Sequence, residues 1–142
     1  MNKQESLAKI EASHQQISAV INQITPEQAE KPDILGYWSA RQILAHITAW
    51  QAKAIEIIEG TRSGIEVEQP NDDDAFNAVE VAKRAGLSWN ETKAEFERVY
   101  RQLAGLVDSL PDDIYALPNV GWFRGSTISH YRIHQPDLEK AL

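Results

Sequence analysis

The chain contains no cysteine. A disulfide framework, a thiolate nucleophile and cysteine-ligated zinc are all excluded, so a metal could be held only by histidine and carboxylate. Proline and glycine are sparse, at six and seven residues of 142, which rules out collagen-like and low-complexity chains. No apolar run approaches the roughly 20 residues of a membrane helix. The opening MNKQESLAKI carries polar residues where a signal peptide has its apolar stretch. The expectation is a cytoplasmic protein with no membrane partner. Positive charge is the last deficit: 14 Lys and Arg stand against 21 Asp and Glu, a formal net charge of -7. Binding to a phosphate backbone relies on clustered basic residues. The charge balance therefore predicts no nucleic-acid partner.

What remains is enough for one core. A chain of 142 residues, 42% hydrophobic, is a single domain's worth, spanning residues 1–142. Leu7, Ile10, His14, Ile17, Ile21 and Ile24 recur at spacings of three and four, one face of an amphipathic helix that Pro26 ends. Ser39 and Gln42 have capping-box spacing and open a second helix, predicted to stop at Gly60. Its inward positions are Ile43, His46, Ile47, Trp50, Ala54 and Ile57 or Ile58, with Gln51, Lys53, Glu56 and Glu59 toward water. A polar, acidic stretch follows, then a short helical candidate over Ala75–Gly86. Asp72, Asp73 and Asp74 lack the Gly and distal Glu of a calcium loop and fit a helix N-terminus instead. Ser88 and Glu91 form another capping box ahead of Trp89, Thr92, Phe96, Val99, Leu103, Leu106 and Leu110, and Pro111 closes that stripe. Ser126 is placed to cap a last helix through His130, Tyr131, His134 and Leu138. Ile65–Gln69 alternates but is too short for a sheet. The fold class predicted is all-α: a four-helix bundle with an extra short helix in the connection between helices 2 and 3.

The histidines carry the chemistry. His130 and His134, four apart on a helix, share a face and can grip one cation. His46 and His130 lie at similar distances from their helix starts, so in an up-down-up-down bundle, where those helices run parallel, the three imidazoles converge at one level. Three neutral imidazoles leave a coordination position open, the arrangement by which a catalytic metal lowers the pKa of a bound water or thiol. His14 also falls on an apolar stripe, as a fourth ligand, as a residue that supports the ligands or lines a pocket, or as a histidine hydrogen-bonded locally or placed at the rim. Asp137 and Glu139 are read as solvated, and Trp38, Trp50 and Trp122 as packing.

The segments WSARQILAHITAW (Trp38–Trp50), AFNAVEVAKRAGLSW (Ala75–Trp89) and HYRIHQPDL (His130–Leu138), with the order of the helices, resemble the DinB superfamily, in particular its ClbS/DfsB-type branch. The resemblance carries a metal-ligand role onto His46, His130 and His134, and nothing onto His14. It implies a divalent metal, commonly Zn²⁺ or Ni²⁺, and a small-molecule substrate. Family members with assigned roles include S-transferases and isomerases that use low-molecular-weight thiols. It implies no DNA-binding activity. Broad apolar stripes, and the pairing common in the family, suit a homodimer. Two functions stay open: a metal-dependent transferase or hydrolase, and a non-catalytic metal or small-molecule binding protein of the stress or resistance type.

Overall fold

The first three long helices each begin at a side-chain cap. In the computed structural model, which describes residues 1–142, helix α1 (Lys3–Gln23) starts where Asn2 accepts the Glu5 amide, and it buries Ile10, His14, Ile17 and Ile21. Pro26 does more than end it. Thr25 and Gln28 form a capping box, and Pro26 sits at the first position of a four-residue helix α2 (Pro26–Ala29), where its missing amide costs nothing.

Helix α3 (Ala40–Arg62) opens on the expected Ser39–Gln42 box. It runs past Gly60, because the glycine serves a close approach and does not stop the helix. A Cβ there would lie 2.4 Å from Val67 Cγ2 and 2.8 Å from the Ile65 carbonyl oxygen, and the Ile65 amide donates to the Gly60 carbonyl at 2.7 Å. Every residue from Ile43 to Ala49 is buried, so neighbours surround α3 at that level. Gln51, predicted to face water, is buried too and accepts a hydrogen bond from the Tyr131 hydroxyl.

Helix α4 (Asp73–Lys83) is the predicted insertion. Asp72 accepts the Ala75 amide at 3.1 Å and Asp73 and Asp74 occupy the first turn, as the dipole of a helix N-terminus favours. Helix α5 (Trp89–Ser109) begins at the Ser88–Glu91 box, and a four-residue helix α6 (Asp112–Tyr115) follows Pro111. The last helix is not capped by Ser126. A 3₁₀ turn (Pro118–Gly121), the short α7 (Trp122–Arg124), a π-helical turn (Gly125–Ser129) and α8 (His130–Glu139) form one continuous helical stretch. Ser126 and Thr127 lie inside it and return their hydroxyl protons to the Phe123 carbonyl at 3.3 and 2.7 Å. Helix α8 continues through Pro136.

The four long segments pack around one core with two ends. One end joins Ile17–Ile24 of α1, Ala40–Ile47 of α3, Trp89 and Phe96 of α5, and Tyr131 and Leu138 of α8. The other joins Ile10, Ala54 and Ile58, Leu103–Leu110, and Val120 and Phe123. The late part of α1 thus meets the early parts of α3 and α5 and the late part of α8. The order is up-down-down-up, and it corrects the predicted up-down-up-down arrangement. Helices α3 and α5 are parallel neighbours, and parallel neighbours need a long crossover. The connection from Ser63 to Ser88, with α4 in it, is that crossover.

Candidate metal centre

His46 lies in the second turn of α3; His130 opens α8 and His134 follows one turn later. Because α3 and α8 are antiparallel, the three rings meet by crossing, not by equal distance from two helix starts. The π turn of Gly125–Ser129 runs directly into His130, a widened turn of the kind that recurs at functional sites. His130 Nε2 is 2.8 Å from His46 Nε2, which is 3.2 Å from His134 Nε2. One nitrogen from each ring lies within 4.8 Å of the other two.

Neighbouring side chains decide which nitrogen of each ring faces the centre. Trp50 Nε1, which can only donate, gives its proton to Asn77 Oδ1 at 2.7 Å. That oxygen also stands 3.0 Å from His46 Nδ1, so Nδ1 carries the proton. Burial foremost, then the imidazole of His134, push the His46 pKa down to about 4, which leaves a neutral ring with a bare Nε2 at neutral pH. His134 Nδ1 lies 3.2 Å from Asp137 Oδ2, a carboxylate oxygen that only accepts. That contact puts a proton on Nδ1 and turns Nε2 toward the centre. With the outer nitrogens engaged as donors, these two Nε2 atoms meet at 3.2 Å as acceptors, and the one proton that His130 Nε2 can offer, 2.8 Å from His46, serves only one of them. His130 is held neutral by burial and by the two other rings, its pKa down to about 2.

This donor set fits a divalent cation. Zinc with nitrogen ligands at 2.0–2.1 Å in a tetrahedron separates those ligands by about 3.4 Å, close to the spacing found. Asn77 and Asp137 are the outer partners that fix ring orientation and raise ligand basicity in such sites. Neither was recognised in the sequence. Asp137, expected to be solvated, is buried, and its spacing of three from His134 on a helix is the signal that points to it. Asn77 comes from α4, 31 residues from His46, and no local pattern indicates it.

One side of the cluster is open. His46 and His130 line a cleft of about 600 Å³ whose walls include Trp50, Trp122, Asn77 and Asp73; His134 sits behind them. The Trp50 and Trp122 rings are nearly parallel, 6.0 Å apart. These two tryptophans serve the cleft as well as the packing. Trp38 tilts against the His46 ring at 4.9 Å.

His14 is not part of this constellation. Its Nε2 pairs with Glu97 at 2.7 Å and lies 3.4 Å from Ser18 Oγ, and its ring stacks on Tyr100 at 3.7 Å. Burial lowers its pKa against the opposing pull of Glu97, so the neutral ring donates to the carboxylate. Of the readings of His14, the locally hydrogen-bonded residue is the one found.

The DinB superfamily model matches residues 3–135. The chain belongs to the DinB superfamily. Among solved structures it resembles an uncharacterised protein of Escherichia coli UTI89, with a TM-score of 0.88 and 22% identity over 98% of this chain and 91% of that one. A Streptococcus pneumoniae protein gives 0.85 and 18%, over 99% and 90%. The colibactin self-resistance protein ClbS, solved in complex with double-stranded DNA, gives 0.84 and 16%, over 97% and 93%. No curated protein matches the chain.

The ClbS complex corrects one expectation. A bundle of this fold is found with DNA, so the predicted absence of a nucleic-acid partner does not stand. Net charge sums over a whole surface, whereas a DNA contact needs only a local patch. The membrane expectation concerned helices, and no helix here is long and apolar enough to cross one.

Proposed function

We propose that this DinB-superfamily protein is a metal-dependent enzyme in which His46, His130 and His134 hold one divalent ion, zinc or nickel, and a small thiol or water is added to an electrophilic substrate in the adjoining cleft. The observation that carries this reading is the convergence of the His46 and His134 Nε2 atoms, 3.2 Å apart with their outer nitrogens held by Asn77 and Asp137, beside His130 and next to an open cleft. A bound ion there supplies a Lewis acid that makes a thiol or water nucleophilic at neutral pH. The chain's own residues do the rest. Asn77 and Asp137 hold two imidazoles in the ligating tautomer. Trp50 and Trp122 shape an aromatic wall along which a substrate can be oriented.

A second reading is favoured by the likeness to a self-resistance protein: a protein that binds a reactive small molecule, or acts at DNA, without turnover. Elemental analysis of protein purified without a histidine tag tests the shared premise, with one divalent ion per chain expected. Replacement by Co²⁺ then tests the open position. A sulfur-to-cobalt charge-transfer band that saturates with added thiol supports the enzyme reading; a spectrum indifferent to thiols and anions at full occupancy means a closed structural ion and defeats it. Metal-dependent turnover of epoxides, maleyl-type isomerisation substrates or cyclopropanes separates catalysis from protection that saturates at one ligand per chain.

A further inference from the structure

The charge on the cleft wall is one-sided. Asp73 is the only carboxylate lining it, and no lysine or arginine does. Asp73 is exposed and makes no side-chain hydrogen bond or ion pair, whereas its neighbour Asp72 is committed to capping α4. Arg124, the cationic side chain on the α7 segment, does not line the cleft: its Nη1 donates to the Tyr115 hydroxyl at 3.3 Å, its Cζ lies 4.9 Å from the Phe123 ring centre, and its Nη2 lies 3.2 Å from where a Gly121 Cβ would stand. The rest of the wall offers two indole faces, and an indole ring attracts cations through its quadrupole. Gly125 adds room, since a Cβ there would meet nothing within 4 Å. Away from the ion that the histidines would hold, a carboxylate or phosphate on the substrate would find no countercharge on this wall.

We infer that the cleft selects ligands bearing a positive charge, an ammonium group or similar, with Asp73 as the anionic contact and Trp50 and Trp122 as the aromatic wall. This deepens the metal-centred reading of the same site, and it makes α4 the specificity element: Asn77 faces the histidines and Asp73, one turn earlier, faces the ligand. The length of α4 between them separates the reacting end of a ligand from its charged end.

Three small thiols that differ in charge test it on the Co²⁺-loaded protein: cysteamine, 2-mercaptoethanol and 3-mercaptopropionate, each titrated by its charge-transfer band. Asp73→Asn removes the charge while keeping the shape of an exposed helical position. The ratio of cysteamine to mercaptopropionate affinity is expected to fall about tenfold in Asp73→Asn at low salt, with 2-mercaptoethanol unchanged, and the difference to shrink as salt is added. A ratio that moves less than about twofold overturns the inference. Should none of the three give a band, the metal-centred reading fails and a metal-free measurement decides this one. Saturable quenching of tryptophan fluorescence by tetramethylammonium, lost in Asp73→Asn, supports it; absence of saturable quenching in the unsubstituted protein overturns it.

Discussion

His14 and the His46–His130–His134 cluster are two answers to one problem, a histidine on the apolar stripe of a bundle helix. At His14 the polar need of the ring is met by protein: Glu97 takes the Nε2 proton and Tyr100 and Phe96 stack on the ring. Only Nδ1 is left without a partner. At the cluster, Asn77 and Asp137 satisfy the outer nitrogens of His46 and His134 and leave the inner ones facing each other and His130. A buried lone pair without a donor is costly, and the cluster concentrates that cost at one point beside a cleft. Thus the sign of a binding site is not a histidine in a core. It is a set of histidines whose neighbours have protonated the wrong side of the ring for self-satisfaction.

The comparison breaks most directly by substitution. We predict that His46→Ala, His130→Ala and His134→Ala each weaken divalent-metal binding more than about 100-fold by calorimetric or competition titration, since two imidazoles compete poorly with water. A variant among these three that still binds within about threefold removes that residue from the ligand set.

A smaller effect is predicted one step out. Asn77→Ala and Asp137→Ala should each cost 10- to 100-fold in metal affinity, the usual consequence of losing the partner that fixes a ligand's tautomer. Asn77→Asp keeps an acceptor oxygen and should recover most of the loss; equal damage from Ala and Asp would show that Asn77 serves only to dock α4.

These two layers were unequally legible in the sequence. The helices were readable because capping boxes at Ser39 and Ser88 and stripes at spacings of three and four are local signals. The trio His46, His130 and His134 was readable because a four-residue spacing fixes a shared face. Helix direction was not. An up-down-up-down order would make α3 and α8 parallel, but they are antiparallel; the three histidines meet by crossing, and not at an equal distance from two helix starts. The crossover length of Ser63–Ser88 was the clue, since a parallel pair needs one. Asn77 was illegible because its role depends on where that crossover lands. Gly60 was misread because a helix stop and a close backbone approach both select glycine, and only the position of Val67 tells them apart.

Acidification probes the same contrast through stability. The pKa values of His46 and His130 are depressed in the folded chain, to about 4 and about 2, against about 6.5 when unfolded. The unfolded state therefore takes up protons first as pH falls. Metal-free protein should hold its full stability above pH 6.5 and lose it progressively below, by about 2 kcal/mol or more at pH 5. Denaturant unfolding of the metal-free protein at pH 7 and pH 5 measures this. His130→Phe should flatten the dependence; an unchanged slope would mean that the ring is not held neutral by the fold.

The smallest effect is predicted at His14, and its smallness is what gives the contrast meaning. His14→Phe keeps a flat ring stacked on Phe96 and Tyr100 and removes the unpartnered buried nitrogen of this ring, Nδ1. Glu97 loses a donor but is not left alone, because Arg101 Nε still donates to its other oxygen at 2.9 Å. Half-exposed, that carboxylate can also turn to water. The loss of one hydrogen bond and the relief of one unsatisfied atom are each worth about 1 kcal/mol and oppose each other. Chemical unfolding should place His14→Phe within about 1 kcal/mol of the unsubstituted protein, with metal affinity unchanged within twofold. A tenfold loss of metal affinity would instead place His14 within the reach of the cluster, and a histidine satisfied by a carboxylate would no longer mark the structural case.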